Sequence, residues 1–170
     1  MSLLIIEGPD GAGKSTLVNK LSKDLKLPIY RSGGPKEITE MKEVLAEMKT
    51  LALVTNKIFI CDRAPWISEI IYSKALGRES IITDEVFNHW LKTPQKIIYC
   101  TLGDSELMLQ NMSRENKPHK PLKHTLAVIE SHKKICDEYE DLMAKIETKK
   151  IDIFEYDWQN SSYHELLLWL

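Results

Sequence analysis

The sequence predicts an α/β protein in three layers, a parallel sheet of about five strands with helices on both faces. Three observations carry that expectation. Short apolar runs alternate with amphipathic stretches along the whole chain. A glycine-rich turn joins the first run to the first amphipathic stretch. At 170 residues the chain is expected to form one domain and bury about 70% of its unfolded surface, with no second core. Crossovers in such a sheet are right-handed, and ligands bind at its carboxyl edge.

The elements follow in order. Residues 3 to 7, Leu-Leu-Ile-Ile-Glu, read as a strand buried on both faces. From Lys14 the apolar positions Leu17, Leu21 and Leu25 recur every four residues, a helix that Pro28 ends. A brief strand at 28 to 30 runs into the loop Arg31-Ser32-Gly33-Gly34-Pro35, and Ile38, Met41, Val44 or Leu45, Met48 and Leu51 space out a helix to about Thr55. Residues 57 to 63, Lys-Ile-Phe-Ile-Cys-Asp-Arg, form the third strand. Pro65 then opens a helix that reaches Gly77, and Thr83 caps a further one through Trp90 and Leu91. Residues 96 to 102 are a strand, and a helix begins near Asp104. Residues 113 to 121, polar, basic and proline-containing, are expected to be a mobile loop. Leu122, Leu126, Ile129, Cys136, Tyr139, Met143 and Ile146 draw one apolar stripe along a long helix, expected to be core. A last strand at 151 to 156 and a helix at 163 to 170 close the chain.

The turn after the first strand carries chemistry. Gly8, Gly13, Lys14 and Ser15 satisfy G-x-x-x-x-G-K-[ST], between a strand and a helix as that pattern requires. Gly8, Gly11 and Gly13 let backbone N–H groups turn inward toward an anion, beside the positive end of a helix dipole. Residues Gly8, Asp10, Gly11, Ala12, Gly13, Lys14, Ser15 and Thr16 are therefore expected to cradle the phosphates of ATP, with Lys14 reaching the β- and γ-phosphates and Ser15 binding Mg²⁺. Asp62, at the end of a buried strand, is expected as the second Mg²⁺ ligand.

Composition limits the rest. A net charge of −2 gives no reason to expect nucleic-acid binding. No apolar run approaches membrane-spanning length and no leader pattern opens the chain, so a cytoplasmic protein without a membrane partner is expected. Cys61, Cys100 and Cys136 lie apart, and read as reduced core residues rather than a zinc or disulfide framework.

The stretch Glu7-Gly8-Pro9-Asp10-Gly11-Ala12-Gly13-Lys14-Ser15-Thr16, the pair Asp62-Arg63, the loop near Arg114 and the helix ending around Tyr139 together resemble the thymidylate kinase-like branch of P-loop nucleoside monophosphate kinases. The resemblance implies that Asp10 contacts the sugar 3′-hydroxyl of an acceptor nucleotide. It implies that Asp62 serves the metal and phosphates, and that Arg63 grips the acceptor monophosphate. The family's basic lid is matched only by Arg114, with Lys117 and Lys120 beside it. Its Arg-Glu-Pro-Gly-Gly-Thr stretch is absent. Arg31 takes its place as an unaligned substrate contact, while Trp66, Ser68, Glu69 and Tyr72 replace the family's residues after Asp-Arg, with Trp66 and Tyr72 as candidate base contacts or core. The chain also resembles the compact kinases carried by some phages.

The reaction so implied transfers the γ-phosphoryl of ATP to a (deoxy)nucleoside monophosphate, dTMP-like first. Lys14, Arg63 and Arg114 supply the fixed charge that two polyanions need, and no general base is required. Arg63 could instead cap a helix or pair with Glu69. A nucleoside kinase, or a kinase of a hydroxymethylated base, would need a carboxylate base such as Asp62 or Glu69. A nucleotide-dependent switch without transfer is the third reading. The base, the sugar and a homodimer stay open.

Overall fold

The computed structural model describes residues 3–32, 38–54, 58–102, 105–114 and 122–170. Five strands, β1 (Leu3–Glu7), β2 (Ile29–Arg31), β3 (Phe59–Asp62), β4 (Gln95–Thr101) and β5 (Asp152–Asp157), pair in parallel in the order β2-β3-β1-β4-β5. Strand β1 is central, flanked in register by β3 and β4.

Alternation along the strands sorts the helices into two layers. Leu3 and Ile5 of β1, Phe59 and Cys61 of β3, and Ile97 and Tyr99 of β4 enter one core. It is covered by α2 (Ile38–Val54), α3 (Pro65–Ala75), α4 (Asp84–Trp90), α6 (Leu122–Glu130) and α7 (His132–Glu147). The intervening Leu4, Ile6, Ile60, Ile98 and Cys100 enter the other, under α1 (Lys14–Leu25), α5 (Ser105–Arg114) and α8 (Tyr163–Trp169). Successive side chains of a strand point to opposite faces, so β1 is apolar from Leu3 to Ile6 because both faces are covered.

Local sequence explains most boundaries. Pro65 stands in the first turn of α3, and the side chains of Thr83 and Ser162 accept from Val86 N and Glu165 N at the starts of α4 and α8. Helix α1 stops earlier than Pro28 requires, because Lys26 takes a left-handed φ of 55°. Leu25, the last residue of α1, is more than a third exposed.

One expectation fails. The apolar stripe from Leu122 to Ile146 belongs to two helices, since Ser131 (φ −96°, ψ 8°) separates α6 from α7. Serine competes for backbone hydrogen bonds and is a weak helix former, and a non-helical ψ there puts the two halves out of phase. Ile135, Tyr139, Met143 and Ile146 remain core, whereas Leu126 and Ile129 are 49% and 38% exposed. Arg31 lies within β2 rather than the loop after it. Of the expected mobile loop, Ser113 and Arg114 end α5, while residues 115–121, with Lys117 and Lys120, lie outside the described residues, as do Gly33, Gly34, Pro35 and Asp104. Among the described residues, no helix is long and apolar enough to cross a membrane.

Candidate active site

The strand order places the site. Chain leaving β1 leads to β2 on one side, and chain leaving β3 leads to β4 on the other, so a crevice opens between their carboxyl ends. The glycine loop (residues 8–13) and the Asp62-Arg63 corner meet there.

The loop has no room for side chains at two of its glycines. Gly8 has φ 143° and Gly11 has φ 86°. A Cβ on Gly8 would run into the carbonyl oxygen of Cys100, and one on Gly11 into that of Met108. Asn111 Nδ2 also donates to Gly11 O at 3.1 Å, so β4 and α5 buttress the loop from behind. Ala12 is buried, while Ser15 and Thr16 stand exposed in the first turn of α1. Lys14 is buried, and its Nζ donates to Pro9 O at 2.5 Å. Burial, with Arg63 nearby, lowers its pKa to about 8 although Asp10 and Glu7 oppose the shift.

Arg63 occupies a position that L-residues seldom adopt, φ 72°, and its N–H donates to Ile6 O at 3.1 Å. Its guanidinium pairs with the Asp10 carboxylate, and its Nη1 donates to Tyr139 Oη at 3.2 Å and Tyr72 Oη at 3.4 Å. The guanidinium also lies 5.5 Å from the centroid of the Tyr72 ring. Asp10, Arg63 and Tyr72 are thus brought together.

Asp62 is held differently. Its Oδ2 accepts from Arg31 Nε at 3.2 Å, and Arg31 Nη2 donates to Asn19 Oδ1 at 3.0 Å. Arg31 is more than half exposed.

Two expectations are corrected. Trp66, a candidate base contact, is fully buried, stacked on Trp90 with centroids 4.1 Å apart and planes within 5°. It belongs to the core between α3 and α4, because it lies on the α3 face that also buries Ile67 and Ile71. Glu69 is no partner of Arg63. Its carboxylate takes Arg78 bidentately, with Arg78 Nη2 to Oε2 at 2.7 Å, and it is buried there. The side chain of Arg114 lies outside the described residues.

Comparison with known proteins bears on the fold. No family model matches the chain. Over 102 residues it is 32% identical to the SPbeta prophage-derived uncharacterized protein YorR of Bacillus subtilis (strain 168), an alignment covering 58% of this chain and 61% of that protein. The match thus spans less than two thirds of the relative. The crystal structure of YorR from Bacillus subtilis in complex with phosphorylated GDP superposes with a TM-score of 0.64 at 22% identity, over 97% of this chain and 91% of that one. Deoxyadenosine kinase from M. mycoides with bound dATP gives 0.59 at 15% identity, over 98% and 96%.

This is an α/β P-loop fold.

Within the P-loop cleft two residues escaped the sequence reading. Glu7, the last residue of β1, is fully buried, and its carboxylate gathers the site: it accepts from Ala64 N at 2.5 Å, Ser68 Oγ at 2.8 Å, Tyr139 Oη at 2.9 Å and Gly8 N at 3.3 Å. A charged residue closing an otherwise apolar buried strand was the available signal, since a buried carboxylate demands donors. Trp158 was also missed. It stands 45% exposed, with Cδ1 3.0 Å from where a Cβ on Gly13 would sit.

Proposed function

We propose that this chain, acting as one kinase domain, transfers the γ-phosphoryl of ATP to a (deoxy)nucleoside monophosphate, with a dTMP-like acceptor as the first candidate. The observation that carries the reading is the cleft itself: a glycine loop with a buried lysine faces an arginine held at the end of β3 by an acid from the same loop. Donor and acceptor phosphates each find a fixed cation there.

On the donor side the backbone of residues 8–13 and the N-terminus of α1 bind the polyphosphate. Lys14 exchanges its bond to Pro9 O for phosphate oxygens, and Trp158 offers the donor base an aromatic face. Magnesium fits the donor set, because Ser15 and Asp62 present the hard oxygens it prefers and phosphates and water complete such sites. When bound, the ion neutralises charge on the β- and γ-phosphates. Arg63 binds the acceptor phosphate and Arg31 is a second contact for it. Asp10 orients Arg63 and meets the sugar 3′-hydroxyl, and Tyr72 borders the acceptor. Arg114, at the end of α5, is the candidate that neutralises charge on the transferring group.

A phosphate acceptor is already nucleophilic at neutral pH, which suits a site where, among the described residues, Asp62 faces Arg31, Glu69 faces Arg78 and Glu7 accepts four hydrogen bonds. A hydroxyl acceptor is the second reading, favoured by the fold shared with deoxyadenosine kinase. Mg-ATP with a panel of monophosphates and nucleosides, followed by ADP release, tests the choice. ADP formed with monophosphates supports the first, ADP formed only with nucleosides replaces it, and acceptor-independent hydrolysis defeats both.

A further inference from the structure

We propose that Glu7 and Tyr139 are positioning residues for Arg63, a buried relay that fixes which edge of the guanidinium faces the acceptor; this rests on the acceptor role given to Arg63 above. Tyr139 comes from α7, far along the chain from β1 and β3, and its hydroxyl sits between two charges. It donates to Glu7 Oε2 at 2.9 Å and accepts from Arg63 Nη1 at 3.2 Å. Those two bonds depend on each other. A tyrosine hydroxyl has one proton, and with that proton committed to Glu7 its lone pairs are left for Arg63.

Glu7 is placed to dictate this geometry because it cannot turn. Ala64 N and Ser68 Oγ both hold Oε1, at 2.5 Å and 2.8 Å, while Gly8 N holds Oε2 at 3.3 Å. One carboxylate thereby ties the start of the P-loop, the first residues after Arg63 and the middle of α7. Burial, and then the charge of Glu7, raises the Tyr139 pKa well above the ordinary value, so its proton stays in place.

The consequence lies in the count of donors. A guanidinium has five N–H groups. Tyr72 and Tyr139 occupy Nη1, and Asp10 takes one from Nη2. Among the described contacts this leaves Nε–H and one Nη2–H, a pair suited to two oxygens of one phosphate. Without the Tyr139 hydroxyl, Nη1 loses a fixed partner and the guanidinium turns about its stem. The ring of Tyr139 stacks on Tyr99 at 5.9 Å and 18°, an interaction that phenylalanine keeps.

Tyr139→Phe and Glu7→Gln, singly and together, test the relay in the full chain, with thermal melts to confirm folding. Steady-state kinetics are expected to show the acceptor KM raised about tenfold, the loss of one hydrogen bond to a charged group, with kcat and donor KM within about twofold. The double variant is expected to lose no more than about twofold beyond either single one, because both act through the same hydroxyl. The NMR signals of the Arg63 Nη1 protons report positioning without turnover: resolved in the parent, averaged by rotation in Tyr139→Phe. A Tyr139→Phe protein with unchanged acceptor KM, with donor and acceptor KM raised alike, or with an unaltered Arg63 signal overturns the relay. If Tyr139→Phe fails to fold, Glu7→Gln decides by the same KM split and the same signal. If the parent phosphorylates no monophosphate, the proposed function falls, and the Arg63 signal still decides whether the relay exists.

Discussion

Two arginines stand at the carboxyl ends of adjacent strands, each beside an aspartate, and the protein treats them in opposite ways. Arg63, after β3, is 19% exposed and tied to Asp10, Tyr72 and Tyr139. Arg31, closing β2, is 54% exposed and shares Asp62 and Asn19 with solvent. A largely buried charge is tolerated only beside partners, so its geometry is fixed before any ligand arrives. An exposed pair is worth little and exchanges readily. The inner arginine is thus built to define a binding geometry, and the outer one to give up its aspartate when a better partner enters.

The inner side has no slack, and the largest effects are expected there. Gly8→Ala must move the Cys100 carbonyl and hold alanine at φ 143°, a loss of about 3 kcal/mol read from denaturant melts. A variant as stable as the parent would show that the loop yields. Lys14→Ala is expected to lower turnover about 100-fold or more with the fold intact, as for loss of one preorganised charge in phosphoryl transfer. Near-normal turnover would remove Lys14 from the reaction. Asp10→Asn keeps the shape but unpairs Arg63 and weakens the sugar contact, so acceptor KM is expected to rise for both kinds of acceptor and most, about tenfold, for 3′-hydroxyl ones. Equal rises for 3′-hydroxyl and 3′-deoxy acceptors would remove Asp10 from the sugar site.

Acidity gives a smaller and graded effect. Burial brings the Lys14 pKa to about 8, so below that pH the side chain is charged and above it neutral. The kcat/KM for ATP is expected to fall as pH rises through about 8, about tenfold per unit beyond, while kcat at saturating ATP holds to higher pH because bound phosphates favour the charged form. A kcat/KM flat to pH 9 would refute this. The smallest effect belongs to the outer arginine: Arg31→Ala is expected to cost under about 1 kcal/mol in thermal stability. A larger loss would show that the outer pair is as fixed as the inner one, and would end the contrast.

Much of this was legible in residues. Periodicity marked every strand and most helices, because apolar spacing reports which face is covered and Pro65 and Thr83 punctuate helix starts. Ser131 hid the break between α6 and α7, since serine also occurs within helices and its ψ is set by packing. Trp66 illustrates the same limit in the site. An aromatic residue three positions after Arg63 fits a binding cleft or a core equally well, and only the stacked Trp90, from a helix formed later in the chain, decides between them.

By itself the sequence determined the glycine loop, the lysine at its end and the Asp62-Arg63 corner, because each depends on neighbours in the chain and on which backbone conformations those residues permit. Tertiary structure decided what holds Arg63. Asp10, Tyr72, Tyr139 and Glu7 are distributed from one end of the chain to near the other, and nothing in their spacing indicates that they converge. They do so because β1 lies at the centre of the sheet with β3 beside it, and α7 packs against α3 across that face, so a buried carboxylate and a buried guanidinium find in three separate segments the partners that desolvation obliges them to have.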